Sequence, residues 1–432
     1  MKHNKLSYKE ALQYLYGLQK YGIKFGLSKT ANLLKAFGNP HRGQRYIHIA
    51  GSNGKGSVAA MVESVLMKSG LRVGLYSSPH LVRFTERFRI NGKEIAPKKA
   101  AAIAGELIKV IKPAHPPTFF EVTTAMALIY FAREKVDISI IEVGMGGRLD
   151  ATNVIRPVVS AITNISLEHQ FFLGSRLLDI AKEKGGIIKR GVDLVTAVNQ
   201  PSIIRLFESI CEAKKAFLWR VGKDVRYRSN GSRFSYYGLR RNFKAIELGL
   251  RGKFQNRNAA LSLAVIELLE KKGYAFSSRH IAEGLKDTKW PGRMHVVSQE
   301  PLIILDGAHN PKAISELAHS IRHDFSYRRL ILVIGVMEDK DVGKILKGIL
   351  PIADYVIYTR PDYYRSARPE RLMKEGLPLG KPGEIVPAIS DALDMAKEMA
   401  GPKDMILVSG SLFTVGEAMT YFDPEKYRPD DV

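Results

Sequence analysis

The sequence predicts an α/β fold in two parts: a larger ATPase-type domain built on a parallel sheet (residues 1–295) and a smaller C-terminal Rossmann-like α/β domain (residues 296–432). Three observations carry this. The apolar run Tyr46-Ile47-His48-Ile49-Ala50 leads straight into Gly51-Ser52-Asn53-Gly54-Lys55-Gly56-Ser57 and then into a helical pattern at 58–66. Further apolar strands alternate with helical segments, which implies a parallel sheet with ligands gathered at its carboxyl edge. After the Pro291-Gly292 pair the alternation starts afresh, and 432 residues exceed what one ordinary core holds.

Taken in order, residues 6–40 read as helices leading to the glycine-rich loop. A strand at 73–76 ends at Ser77-Ser78-Pro79-His80. A helix at 98–110 is stopped by Pro113-Ala114-His115-Pro116-Pro117. A second helix at 122–133 feeds the apolar strand 138–143, and another strand follows at 158–163. Residues 227–237 read as a hairpin turning at Asn230-Gly231, followed by a helix at 258–272. Past the hinge-like Trp290-Pro291-Gly292-Arg293 come a strand at 302–305, a helix at 313–321, and strands at 330–335, 353–358 and 405–409. The chain shows no repeats and no low-complexity tract.

Composition narrows the function classes. Hydrophobic residues make up 45% and charged residues 25%, as in an ordinary globular protein. No stretch approaches the ~20 apolar residues of a membrane span, and the start of the chain lacks the apolar core of a secretory signal. A single cysteine, Cys211, excludes an internal disulfide framework and a cysteine zinc site. Cys211 falls on an apolar helix face as core filler, and the cytoplasm is the expected compartment. The net charge of +23 favours anionic partners. The basic residues are spread along the chain without an aromatic–basic pattern, which points to phosphorylated or polycarboxylate small molecules more than to nucleic acid. A nucleic-acid-dependent NTPase is the rival class; it predicts ATP hydrolysis stimulated by RNA or DNA.

The loop at 51–57 is a phosphate site by its chemistry. Glycines let backbone N–H groups converge on an anion, the helix N-terminus adds partial positive charge, and Lys55 adds a full one. Its spacing departs from the standard P-loop: two residues separate Gly51 and Gly54 instead of four, and Gly56 stands between Lys55 and Ser57. Glu142 ends an apolar strand, where a carboxylate is costly unless paired or metal-bound. It reads as a magnesium-binding acid beside the nucleotide, with a buried salt bridge to Arg148 as the alternative. His169 lies past the end of the next strand, on the ligand edge, either as a metal or phosphate ligand or as an ordinary satisfied histidine. Lys184, among several lysines, reads from charge alone as a solvated helix residue. Asp306-Gly307-Ala308-His309-Asn310-Pro311 closes the first strand of the second domain, offering either ligand contacts or an Asx-type helix cap.

Together these residues resemble the Mur ligase superfamily, and within it the folylpolyglutamate synthase and dihydrofolate synthase branch. The resemblance runs from Tyr21-Gly22-Ile23-Lys24-Phe25 to Ser409-Gly410-Ser411-Leu412-Phe413-Thr414-Val415-Gly416-Glu417. Its rarer motifs are Glu142 with Val143-Gly144-Met145-Gly146-Gly147-Arg148-Leu149-Asp150-Ala151-Thr152-Asn153, Ser78-Pro79-His80-Leu81 with Phe84-Thr85-Glu86-Arg87, and Asp306 through Pro311. The chain starts directly at the ATPase domain, which sets it apart from peptidoglycan ligases carrying a UDP-binding domain ahead of it.

The resemblance implies an ATP-dependent amide ligase that adds L-glutamate to dihydropteroate, to folates, or to both. It implies ATP binding by Ser52, Asn53, Gly54, Lys55, Gly56, Ser57, Asn258, Arg293 and Asp306, with His309 near the phosphates. Lys55, Lys184 and His309 would be catalytic. Ser78, Glu142 and His169 would hold Mg2+. Lys184 would be carbamylated at a second Mg2+ site, and a monovalent cation is admitted. The pteroate would meet Ile23, Lys24, Phe25, Thr118, Phe120, Glu121, Leu149, Asp150 and Ala151. No membrane or nucleic-acid partner is implied, and the working form would be a monomer. The chain departs from the family at Ser52 (usually threonine), Glu168 (aspartate), Gly186 (alanine) and Phe254 (histidine).

Overall fold

A computed structural model describes residues 6–230 and 233–431. Eight strands form the first sheet: β1 (Tyr46–Ala50), β2 (Val73–Tyr76), β3 (Phe88–Ile90), β4 (Lys93–Glu94), β5 (Ile138–Glu142), β6 (Val159–Ile162), β7 (Leu194–Thr196) and β8 (Leu218–Arg220). Their order is β4-β3-β2-β5-β1-β6-β7-β8. The six strands from β2 to β8 run parallel, with β3 and β4 antiparallel at one edge. Every residue of β1, β2, β5 and β6 is buried, as a sheet covered on both faces requires. The helices Lys55–Lys68 and Lys253–Glu270 share one core with these strands, and Tyr8–Gly17, Pro97–Val110 and Phe119–Arg133 share another.

Helix Phe119–Arg133 starts three residues ahead of the sequence expectation because Thr118 and Glu121 form a reciprocal cap. Helix Lys253–Glu270 likewise begins five residues early. Cys211 is buried in helix Pro201–Ala213, as core filler. The expected hairpin is two arms of a three-stranded antiparallel sheet, β9 (Arg226–Asn230), β10 (Arg233–Tyr237) and β11 (Asn242–Glu247). The turn itself, at Gly231 and Ser232, lies outside the described residues.

One buried carboxylate ties this small sheet to the main body. Glu267 accepts from Tyr236 Oη (2.7 Å) and from the backbone N–H groups of Leu239 (2.8 Å), Arg240 (2.8 Å) and Arg241 (2.7 Å). Glu267→Ala would strand four donors at once, and urea unfolding is expected to show a loss on the order of 3–5 kcal/mol. A loss under ~1 kcal/mol would show that water takes over these donors.

The third sheet comprises β12 (His295–Gln299), β13 (Leu302–Asp306), β14 (Leu330–Ile334), β15 (Tyr355–Tyr358), β16 (Gly383–Ile385) and β17 (Met405–Ser409), in the order β12-β13-β17-β14-β15-β16. All pairs are parallel except β12 with β13. Its two faces are covered by separate apolar clusters, and Leu81 and Val82 of the N-terminal part pack into one of them. The C-terminal segment grips the same loop in return: Phe84 N–H donates to Asp430 (2.7 Å), and Arg83 donates to the carbonyl of Lys426 (2.7 Å). The carboxyl ends of β1, β5 and β6 thereby face that of β13 across a cleft. Among the described residues no helix is long and apolar enough to cross a membrane.

Candidate active site

The glycine-rich loop leaves β1 and enters helix Lys55–Lys68 at its N-terminus. Gly54 has φ +86°, and a Cβ there would lie 2.7 Å from Asn258 Oδ1. A Cβ on Gly56 would lie 2.7 Å from Trp290 Nε1. Both glycines are therefore demanded by close neighbours, which accounts for the unusual spacing. Lys55 Nζ donates to the carbonyl of Gly51 (3.1 Å). The Ser57 hydroxyl is buried and accepts from Gln255 Nε2 (3.2 Å), while Asn258 donates to the same glutamine (2.8 Å).

Asn53 is held from both domains. Its N–H donates to Asn164 Oδ1 (2.9 Å), and its side-chain amide pairs reciprocally with Asn310 (2.7 and 3.3 Å). Asn310 also caps helix Pro311–Asp324 through Ala313 N–H (2.9 Å), so the Asx-type reading of that turn is realised at this residue. Asp306 accepts from Met294 N–H and Ala308 N–H (both 2.9 Å), tying the segment that carries Arg293 to the turn that carries His309.

Ser52 through Ser57, Ser78, Glu142, His169, Asn258, Arg293, Asp306 and His309 line one cleft between the two large sheets. Glu142 is buried and accepts from Ser78 N–H (3.2 Å). Arg148 pairs instead with Glu183 (2.8 Å), so the expected alternative for Glu142 does not occur. Burial raises the Glu142 carboxyl above the usual carboxylate range, opposed mainly by Lys55, and burial also raises Asp306, opposed by Arg293. His169 begins the short helix Gln170–Leu173 with φ +47°, a left-handed conformation that a non-glycine residue adopts at a cost. Burial brings His169 and His309 each down to about 4, keeping both imidazoles neutral.

Lys184 corrects the reading from charge alone. Its side chain is only 3% exposed, with Nζ 2.7 Å from Glu168 and 3.1 Å from the Gly51 carbonyl. Burial lowers the lysine, opposed by Glu168. The Glu168 carboxyl, despite its own burial, is held down to about 2 by Lys184, Lys55 and His169. Glu168 carried no role in the sequence beyond its departure from a family pattern, and its only local signal is its place beside His169.

The residues expected at a pteroate stand on adjoining walls. Gly26 N–H donates to Leu149 O (3.2 Å), joining the loop of Ile23, Lys24 and Phe25 to Leu149, Asp150 and Ala151. Phe120 packs on Gly144, a cleft residue. The carboxylates of this group are engaged locally. Glu121 accepts from Thr118 N–H (2.7 Å) and Oγ1 (2.9 Å), while Asp150 accepts from Met145 N–H (2.9 Å) and Thr152 N–H (3.0 Å).

The donor set suits a hard cation. Glu142 and Ser78 would offer oxygen ligands and His169 a neutral nitrogen. Among the described residues no three His, Cys, Asp or Glu side chains gather as a self-sufficient metal site, so an ion here needs oxygens from a nucleotide or a modified side chain to complete its shell.

A family model of the Mur ligase middle domain matches residues 49–266, and one of the Mur ligase glutamate ligase domain matches 292–412. A probable bifunctional folylpolyglutamate synthase/dihydropteroate synthase of Haloferax volcanii is 37% identical over 96% of this chain, which spans 50% of that relative's length. The dihydrofolate synthase/folylpolyglutamate synthase of Bacillus subtilis is 32% identical over 95% of this chain and 98% of its own. Among solved structures, the bifunctional folylpolyglutamate synthase/dihydrofolate synthase of Yersinia pestis, complexed with AMPPNP and a Mn ion, superposes with a TM-score of 0.87. It is 30% identical, covering 96% of this chain and 97% of that one.

Proposed function

The chain belongs to the Mur ligase family, in its folylpolyglutamate synthase/dihydrofolate synthase group, and we propose on that premise that its cleft joins L-glutamate to dihydropteroate, to reduced folates, or to both. The protein is an ATP-dependent ligase of folate metabolism. The observation that carries the reading is the meeting of the phosphate loop, Glu142, His169, Arg293 and His309 in one cleft between two domains.

In this reading the loop N–H groups and Lys55 hold the ATP phosphates and neutralise charge as an acceptor carboxylate takes the γ-phosphoryl group. The acyl phosphate is the activated species, since a free carboxylate is a poor electrophile; the amine of glutamate then displaces phosphate and forms the amide. Arg293, on the hinge between the domains, and Asp306, from the second domain, clamp the nucleotide with Asn258. The Asn53–Asn310 pair supports a closed arrangement that keeps water from the intermediate. Ser78, Glu142 and His169 would hold Mg2+, which supplies charge neutralisation at the phosphates. A carbamate on Lys184 would replace its ammonium by oxygen ligands for a second ion, and a monovalent cation could serve the same anionic site. Neutral His309 stands ready to hydrogen-bond a phosphate oxygen or the incoming amine.

Ile23, Lys24, Phe25, Thr118, Phe120, Leu149 and Ala151 would border the pteroate, with Glu121 and Asp150 stiffening that wall through their caps. In this reading the working form is a monomer, acting in the cytoplasm where ATP and glutamate are at hand.

The test incubates the protein with ATP, Mg2+ and glutamate, offering dihydropteroate and tetrahydrofolate separately, and reads products by mass spectrometry. Addition of a glutamyl unit to at least one acceptor is expected. Phosphate release driven by nucleic acid alone, with neither acceptor modified, would overturn the reading.

A further inference from the structure

The chain passes from one domain to the other at Trp290-Pro291-Gly292-Arg293, and Trp290 is held firmly on the first side. Its ring packs on the core of the first sheet and makes two further contacts there. One is with the phosphate loop: a Cβ on Gly56 would lie 2.7 Å from Trp290 Nε1 and 2.9 Å from Cε2 and Cζ2, so the indole rests directly against Gly56. The other is with Arg89 of β3. Its guanidinium carbon stands 4.7 Å from the ring centroid, within the ~6 Å over which an aromatic face attracts a cation. Arg89 is itself fixed, since its Nη2 donates to Glu63 Oε2 (2.6 Å). Glu63 is buried on helix Lys55–Lys68, which the phosphate loop opens, and also accepts from Gly92 N–H (3.3 Å). The buried Arg89 Nε has no hydrogen-bond partner among the described residues, which leaves the Glu63 pairing and the indole to place this side chain.

Past Trp290 the chain has little freedom. Pro291 fixes its own φ and restricts the residue before it. Gly292 turns with φ +72°, where a Cβ would lie 3.1 Å from Val415 Cγ1 and 3.2 Å from Leu81 Cδ1. Its carbonyl accepts from Gly307 N–H (2.9 Å), in the second domain. Arg293 therefore stands between an anchor on one side and a brace on the other, three residues from the indole. We propose that Trp290 is a positioning residue for nucleotide binding: held by Gly56 and Arg89, it fixes where the hinge leaves the first domain, and so where Arg293 meets the phosphates. The same contact accounts for the glycine between Lys55 and Ser57, because a side chain at 56 would displace the indole and the hinge with it. The inference rests on the nucleotide-binding part of the ligase reading and adds a residue to it.

The test measures ADP binding in the presence of Mg2+ by titration calorimetry, beside ligation kinetics. Trp290→Ala is expected to weaken ADP binding about tenfold, with the acceptor KM within about twofold of wild type. Because Trp290 acts through Arg293, the double variant Trp290→Ala/Arg293→Ala is expected to bind ADP within about twofold of Arg293→Ala alone, whereas independent losses multiply. Trp290→Phe keeps an aromatic face for Arg89 and is expected to stay within about threefold of wild type. A second measurement leaves Trp290 in place. The chain has two tryptophans, and the other, Trp219, lies in β8 at the far edge of the first sheet. In Trp219→Phe the remaining indole is expected to change its emission saturably as ADP brings negative charge to the loop it touches. ADP affinity of Trp290→Ala within about twofold of wild type, or multiplying losses in the double variant, overturns the proposal. So does an unchanged Trp290 emission on adding ADP, and that measurement decides alone if Trp290→Ala does not fold. Failure of the wild-type protein to ligate either acceptor, with ADP bound and the Trp290 effects present, sinks the ligase reading and leaves the positioning role standing.

Discussion

Lys184→Ala is expected to reduce ligation by at least about 10^3-fold, the largest effect of any single substitution considered, and to destabilise the fold as well. The two losses have separate causes. Lys184 is the ion-pair partner of Glu168 in a place where both side chains are at least nine-tenths buried. Removing the ammonium leaves a carboxylate buried without its nearest counter-charge, a change that costs about 3–5 kcal/mol in comparable sites. The chemical loss comes from the position of Lys184 behind the phosphate loop, where its Nζ touches the Gly51 carbonyl. Lys184→Arg separates the two. It retains the pairing with Glu168, so thermal stability should largely recover, while a guanidinium cannot form the carbamate and ligation should stay low. If short-chain carboxylic acids restore activity to Lys184→Ala, the carbamate reading gains direct support. Near-normal ligation by Lys184→Ala without them would remove that modification from the account.

Lys55→Met is expected to lower kcat by about 10^2–10^3-fold while changing stability by less than ~1 kcal/mol. Charge develops on the phosphoryl oxygens as the acceptor attacks, and Lys55 is the cation at the mouth of the loop. Its present hydrogen bonds are to the Gly51 and Ser52 carbonyls (3.1 and 3.5 Å), on a partly exposed side chain, so water can replace them when it is removed. The check is a kinetic one: kcat at saturating ATP, beside a denaturant melt. A fall of less than tenfold would mean that Arg293 and the backbone N–H groups carry the phosphate charge without the lysine.

The outline of the fold was legible because it depends on local pattern. Apolar runs at 46–50, 138–142 and 330–334 announced central parallel strands, and each proved buried along its whole length. Helix starts were less legible, since the Thr118–Glu121 cap lies outside the apolar periodicity that marks the helix body. The third strand of the small sheet was missed for a similar reason. Asn242–Glu247 alternates weakly, with Phe243 its one buried residue, and its pairing partner is far better marked than it is.

In the site, the residues with unusual local chemistry were visible: three glycines around a lysine, a glutamate ending an apolar strand, a histidine beyond another. Residues whose meaning lies in a distant partner were not. Glu168 matters through Lys184, Gly56 through Trp290, and Asn53 through Asn310, which is 257 positions away. By itself, then, the sequence determined the order of elements, the phosphate loop and the family to which the chain belongs, because each is written in short-range spacing and motif. Only the tertiary structure decided that Lys184 is a buried, paired cation and that Glu121 and Asp150 are engaged in caps. It alone also placed Asn53 against Asn310 across the cleft. Burial and counter-charge are properties of neighbours brought together in space, and no local stretch of sequence contains them.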